Sequence, residues 1–243
     1  MYKYLLPLFL LAHSLSASVT SVIEVPSKSM DKSIQVSLVT PDSYEGSKKK
    51  YPVVYLLHGY GNNHTNWPKF LNTLVDDYQI IAVCPDGARD SWYFDSPQRG
   101  EYRYETFITK ELVSFVDSHY RTEAKREKRA IAGASMGGHG ALYLAMRNKQ
   151  LFGAVASMSG GLDIRPFNRK YKIATHLGPI ATSKELYDEH TCINNIKHIK
   201  SGDLAINIDC GTEDFFIDVN RSFAAELKNQ GIEHNYLERA GSH

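Results

Sequence analysis

The sequence is poor in cysteine, and its three, Cys84, Cys192 and Cys210, form no C-x-x-C pair. An odd, widely spaced set argues against a disulfide framework. Cys84 and Cys210 fall at the ends of predicted strands, so buried free thiols are expected. No side-chain spacing characteristic of a metal site is present, and neither a metal nor a cofactor is expected. An excess of one charge is also missing: 28 Lys and Arg against 27 Asp and Glu leave a formal charge of +1. That balance offers no footprint for nucleic acid. The single basic run, Lys48-Lys49-Lys50, follows P-D-S-Y-E-G and precedes a predicted strand, which reads as a solvated hairpin loop. No apolar run reaches the about 20 residues of a bilayer-spanning helix, so no stable membrane span is expected.

The longest apolar run lies at the start, where Lys3 precedes Leu5 to Ala12 and the small residues Ser14, Ser16, Ala17 and Ser18 follow. This is the pattern of a secretory signal peptide. Residues 1–17 are expected to direct export, secreted or periplasmic, and 18–243 to form one domain of ordinary globular composition.

Within that domain the stretch R-A-I-A-G-A-S-M-G-G-H-G-A-L-Y-L, Arg129 to Leu144, passes from a short apolar strand through a tight turn into a helix. Gly133-Ala134-Ser135-Met136-Gly137 fits the G-x-S-x-G nucleophile elbow, in which small flanking residues permit a strained serine. Ser135 is the expected nucleophile. The Met136 amide and the following helix N-terminus face a developing oxyanion.

Alternating or apolar runs predict strands at Val19–Val25, Ser33–Thr40, Pro52–Leu57, Gln79–Cys84, Gly153–Met158, Leu204–Asp209 and His234–Leu237. Helical spacing predicts helices from Trp67 to about Asp76, Glu105–Tyr120, the elbow helix to about Asn148, a short one near Ser183–Glu189, and Phe216 to Gln230. This alternation implies a mostly parallel, doubly wound α/β sheet with antiparallel N-terminal strands, the α/β-hydrolase fold. Residues 162–202 lack strong periodicity and are expected to form a cap-like insertion over the acyl pocket.

The loop after Pro52–Leu57 begins His58-Gly59-Tyr60-Gly61, where an α/β-hydrolase places its second oxyanion donor, assigned to the Tyr60 amide. His58 is expected to be a structural hydrogen-bonding group, and His139 to pack beneath the elbow. The acid is expected just past Leu204–Asp209; Asp214, in the turn, is favoured over Asp209, Glu213 and Asp218. His243 closes A-G-S-H after the last strand. The order Ser135, Asp214, His243 is that of nucleophile, acid and base in α/β-hydrolases. In the polar, aromatic loop from Ala88 to Tyr104, Trp92 and Tyr93 are candidate substrate contacts or loop packing.

V-V-Y-L-L-H-G-Y-G with Trp67, Y-E-T-F-I-T-K-E-L, I-A-G-A-S-M-G-G-H-G-A-L, D-C-G-T-E-D-F-F and A-G-S-H together resemble the esterase family that includes esterase D (S-formylglutathione hydrolase), feruloyl and acetyl xylan esterases, tributyrin esterases and mycolyltransferases. The resemblance covers most of the chain from Tyr51 onward. It implies ester hydrolysis through an acyl-enzyme. Export points to carbohydrate-linked feruloyl or acetyl esters or short acyl esters as the small-molecule or polysaccharide-linked substrate. Acyl transfer, S-formylglutathione hydrolase-like thioester cleavage and, from another class, a non-catalytic carbohydrate-binding role are the alternatives. Members of the family continue past the histidine with an aromatic segment and a final helix, so a C-terminal truncation is expected.

Overall fold

The computed structural model describes residues 18–243, and the expected signal peptide lies outside them. An eight-stranded sheet runs in the order β1-β2-β4-β3-β5-β6-β7-β8. β1 (Val19–Ser27) and β2 (Lys32–Thr40) form an antiparallel hairpin whose second strand pairs antiparallel with β4 (Ile81–Pro85). From β4 through β3 (Val53–Leu57), β5 (Arg129–Ala134), β6 (Ala154–Met158), β7 (Ala205–Gly211) and β8 (Asn235–Arg239) every pairing is parallel. This is the expected α/β-hydrolase sheet, with its antiparallel edge at the N-terminus.

The pleat sorts the core into two clusters. Val53, Tyr55 and Leu57 of β3 and Ile131 of β5 point into the larger one, with Leu112, Val116, Leu142 and Phe223 from three helices. Leu56, one residue out of phase, points the other way and meets Ala82, Leu71 and Val75. On that second face the side chains of β5 and β6 are small, and Ala130, Ala132, Ala154 and Ala156 stay half-buried.

Three local departures from the sequence reading have physical causes. The segment opening at Trp67 is a 3₁₀ turn, Pro68–Phe70, followed by a separate helix, Asn72–Tyr78, because Pro68 starts a tight turn that closes at Leu71. Gln79, expected in a strand, instead caps that helix in the left-handed region at φ 50°, which delays β4 to Ile81. The next helix spans Tyr104–Thr106, Phe107–Leu112 and Val113–His119 without interruption, its middle third wound as a π-helix. The 162–202 segment is built from short helices, among them Ile173–Leu177, Lys184–His190 and Cys192–Asn195. All three cysteines are free and buried, as the strand-end positions of Cys84 and Cys210 suggested for those two.

Candidate active site

The carboxyl ends of the parallel strands share one edge, and the chain turns there in ways only particular residues allow. Ser135, between β5 and the elbow helix Met136–Arg147, sits at φ 58°, ψ −118°, a conformation sparsely populated by L residues. Its amide is tied to the Met158 carbonyl at 2.9 Å, and its carbonyl accepts from His139 N–H at 3.0 Å. Side chains at the flanking positions are impossible: a Cβ on Gly133 would overlap the Gly137 carbonyl, and one on Gly137 would overlap the Leu57 carbonyl. The motif is therefore a packing requirement between the elbow helix and two neighbouring strands.

Asp214 follows β7 in a turn closed by its amide on the Gly211 carbonyl at 3.1 Å. It is 2% exposed. One carboxylate oxygen accepts from the Phe216 amide at 2.7 Å, and Oδ2 lies 2.8 Å from His243 Nδ1. His243 Nε2 in turn lies 2.9 Å from Ser135 Oγ. The three residues expected to act together are brought into one hydrogen-bonded relay, with Nδ1–H donating to the carboxylate and Nε2 free to accept the serine proton. The loop bearing His243 is held against the end of β7, where the Thr212 and Glu213 amides donate to the Arg239 and Gly241 carbonyls at 2.8 and 2.9 Å. The competing acids are engaged elsewhere or exposed: Asp209 pairs with Arg239, and Asp218 is 92% exposed.

The oxyanion side follows from β3. Gly59 lies so close to the elbow that a Cβ there would stand 3.4 Å from Ser135 Cβ. Among the described residues the Tyr60 and Met136 amides donate to no carbonyl or side chain. Two unengaged donors thus sit on the residues next to Gly59 and Ser135. His58 shapes this loop and is 1% exposed. Its Nε2 accepts from the Gly87 amide at 2.8 Å, which leaves Nδ1–H to donate to the Gly59 carbonyl at 2.9 Å.

His139 is fully buried one turn down the elbow helix. Nε2 lies 2.9 Å from the His190 carbonyl and Nδ1 3.2 Å from the Trp92 carbonyl, and burial pushes the imidazole pKa down to about 4. It packs beneath the elbow with both ring nitrogens facing backbone carbonyls.

Trp92 and Tyr93 require a correction. They are 1% and 0% exposed, both with positive φ, and so present no surface to a substrate. Trp92 Nε1–H donates to the Tyr171 carbonyl and the Tyr93 hydroxyl to the His58 carbonyl, each at 3.1 Å. Packing won because glycine leaves room for the rings: a Cβ on Gly87 or Gly140 would collide with Tyr93, and one on Gly161 with Trp92.

The residues that do rim the serine escaped sequence reasoning. Phe215, 49% exposed, tilts over the His243 ring with centroids 4.2 Å apart and stacks on Tyr171 at 6.1 Å. Tyr171 also meets Tyr60 edge-on at 5.7 Å. Phe215 was signalled by its place directly after Asp214. Tyr171 sits in the aperiodic segment at φ 52°, and nothing in the sequence singles it out.

Among the described residues no group of His, Cys, Asp or Glu is arranged to hold a metal ion.

With this geometry in view, the chain was compared with known proteins. Residues 27–243 match the model of the Esterase family, described as "Putative esterase". The chain belongs to this family. An acetyl esterase of Caldicellulosiruptor saccharolyticus is 29% identical over 206 residues, covering 78% of this chain and 76% of that protein. An esterase of Mycobacterium tuberculosis is 30% identical over 240 residues, covering 86% of this chain; the chain spans 52% of that longer protein. Among solved structures, a ferulic acid esterase superposes with a TM-score of 0.78 at 28% identity, over 93% of this chain and 91% of its own.

Proposed function

We propose that this chain is an exported serine esterase that hydrolyses short-acyl or carbohydrate-linked acetyl and feruloyl esters through an acyl-enzyme on Ser135. The observation that carries the reading is the relay Ser135–His243–Asp214, with contacts of 2.9 and 2.8 Å, ending at a serine in an elbow conformation beside two unspent amides. Similarity to the acetyl esterase and to the ferulic acid esterase supports the choice of acyl groups.

Catalysis follows from the atoms present. His243 Nε2 removes the Ser135 proton as Oγ bonds to the ester carbonyl carbon, and the carbonyl π electrons move onto oxygen. The Tyr60 and Met136 amides hold that oxyanion. When the tetrahedral species collapses, the C–O bond to the alcohol breaks and His243 returns the proton to the departing oxygen. Water then repeats the cycle on the acyl-enzyme and releases the acid. Asp214 keeps the proton on Nδ1 and stabilises the imidazolium that forms in each half.

Export rests on the N-terminal signal pattern; among the described residues no helix is long and apolar enough to cross a membrane. The decisive experiment is hydrolysis of p-nitrophenyl acetate, butyrate and ferulate by the chain lacking residues 1–17, beside Ser135→Ala, together with labelling by a serine-directed fluorophosphonate. Turnover that falls by about 10⁴ to 10⁶ in the variant, with loss of labelling, is the expected result. Equal rates in the two proteins would remove Ser135 from the mechanism.

A further inference from the structure

The turn that carries Asp214 is held from two sides, and the holds differ in kind. Toward β8 it is fastened by backbone, through the Thr212 and Glu213 amides on the Arg239 and Gly241 carbonyls. Toward β6 and the elbow no backbone hydrogen bond crosses from residues 212–216 among the described residues, and the link is a side chain. Asn220, on the helix Ile217–Asn229, is fully buried. Its Nδ2 donates to the Phe216 carbonyl and to the Gly160 carbonyl, each at 2.8 Å.

Neither carbonyl depends on Asn220 Nδ2 for a partner. The Phe216 carbonyl also accepts from the Asn220 backbone amide at 3.1 Å, and the Gly160 carbonyl from the Leu162 amide at 2.9 Å. Those contacts stay within their own elements; only Nδ2 joins the two. Asn220 Oδ1, meanwhile, is buried with no hydrogen-bond partner among the described residues. A buried, unpartnered oxygen is a cost that an apolar side chain of the same size would not carry. The amide is therefore accounted for by what its donor group joins.

Both ends of that bridge lead to reacting atoms. The Phe216 amide donates to Asp214 Oδ1 at 2.7 Å, and Oδ2 of the same carboxylate lies 2.8 Å from His243 Nδ1. Gly160 follows β6 and packs on the elbow helix: a Cβ on Gly138 would stand 3.0 Å from Gly160 Cα and 2.7 Å from Ser157 Oγ. At the end of β6 the Met158 carbonyl accepts from the Ser135 amide at 2.9 Å. Acid and nucleophile are thus tied to each other through β6 and Asn220, by a route that bypasses the base. Residues 239–243 are all exposed, so His243 takes its position from the carboxylate it donates to.

We propose that Asn220 is a positioning residue for the triad. Its Nδ2 sets the distance between the acid turn and the elbow, and through Asp214 it sets where His243 Nε2 meets Ser135 Oγ. The inference rests on the esterase reading, because it is in that reaction that the 2.9 Å contact between them carries a proton.

The test is a double-variant cycle with Asp214→Asn. Asn220→Leu replaces the amide by an apolar group of similar size. Asn220→Thr has a hydroxyl one bond shorter, which retains the contact to the carbonyl four residues back and gives up Gly160. Both are expected to lower kcat for p-nitrophenyl acetate about 10- to 100-fold with KM little changed, the effect of displacing reacting groups by about 1 Å. In the Asp214→Asn background the same substitutions should cost less than about threefold more, because the contact through which Asn220 acts is already gone. Equal losses in the two backgrounds overturn the positioning role and leave Asn220 a packing residue. Wild-type kcat in Asn220→Thr does the same, since the bond to Gly160 would then be idle. A second readout needs no turnover: the low-field proton resonance of His243 Nδ1–H, identified by its absence in Asp214→Asn. It is expected to weaken in both Asn220 variants at temperatures where melting curves show them folded, and an unchanged resonance overturns the proposal. A resonance that weakens in the variants while the wild type hydrolyses no ester overturns the esterase reading and leaves the hold of Asn220 on the acid standing.

Discussion

His58 Nε2 accepts a hydrogen bond from the Gly87 amide at 2.8 Å, and this contact couples the loop after β3 to the loop after β4. Because Nδ1–H is donated to the Gly59 carbonyl at 2.9 Å, both ring nitrogens are committed and neither reaches Ser135. The imidazole therefore acts by holding the Gly59–Tyr60 peptide in line with the elbow. His58→Ala is expected to lower kcat about 10- to 100-fold, somewhat less than deletion of an oxyanion donor, because the Tyr60 amide is displaced but still present. KM for p-nitrophenyl acetate and the position of the pH–rate curve should stay put. A shifted curve would reveal a proton-transfer role.

Gly137 and Gly46 are predicted to respond oppositely to alanine. At Gly137 the new Cβ would overlap the Leu57 carbonyl, so β3 and the elbow helix must part; at Gly46 nothing lies within 4 Å. Gly137→Ala is expected to cost about 2–4 kcal/mol and to remove most activity, while Gly46→Ala stays within about 0.5 kcal/mol. Denaturant unfolding measured beside p-nitrophenyl acetate turnover checks both. An active, stable Gly137→Ala would show that the elbow has slack.

These contacts also explain what could be read in advance. Gly133, Ser135 and Gly137 were legible because their chemistry is local: the strand, turn and helix dictate small residues within five positions. Asp214 and His243 were legible from their offset past predicted strands, since parallel strands deliver such loops to one edge. The mostly parallel sheet with its antiparallel N-terminal strands followed from alternation of elements, while the strand order, with β4 between β2 and β3, was not legible. Trp92 and Tyr93 misled because an aromatic side chain in a long loop carries no periodicity to say whether it points outward or in. Their inward course depends on space at Gly87 and Gly140 for Tyr93 and at Gly161 for Trp92, a tertiary fact. Tyr171 and Gln79 lie in the left-handed region without glycine, which no propensity announces.

Asp214→Asn tests the acid through tautomer control. The side-chain carbonyl of asparagine can still accept from the Phe216 amide, now at 2.7 Å from Oδ1, so the turn should survive. The amide nitrogen would then face His243 Nδ1, which must give up its proton and accept instead. Nε2 becomes the protonated nitrogen and cannot take the Ser135 proton. The expected loss is about 10⁴ in kcat with KM and thermal stability little changed. A loss below about 10-fold would transfer the acid's role to another residue.

The pH dependence of stability should be set first by the buried imidazoles. Burial holds His139 down to about 4 from an ordinary 6.5, and lowers His176 and His190 in the same direction. As pH falls through about 6.5 the unfolded chain takes up these protons while the folded one does not, so the unfolded state binds more protons and stability declines. The loss continues until the folded imidazole itself titrates near 4. For His139 alone it amounts to roughly 3 kcal/mol, on the order of 5–10 °C in Tm. The paired carboxylates of Asp86 and Asp163 are held below their ordinary 3.8 and lose their contribution only at lower pH, outside this window. Melting curves between pH 7 and 4.5 for the wild type and His139→Gln should therefore diverge in slope, with the variant flatter whatever its stability at neutral pH. Parallel curves would mean that His139 is charged in the folded state, with both ring N–H groups donated to the Trp92 and His190 carbonyls.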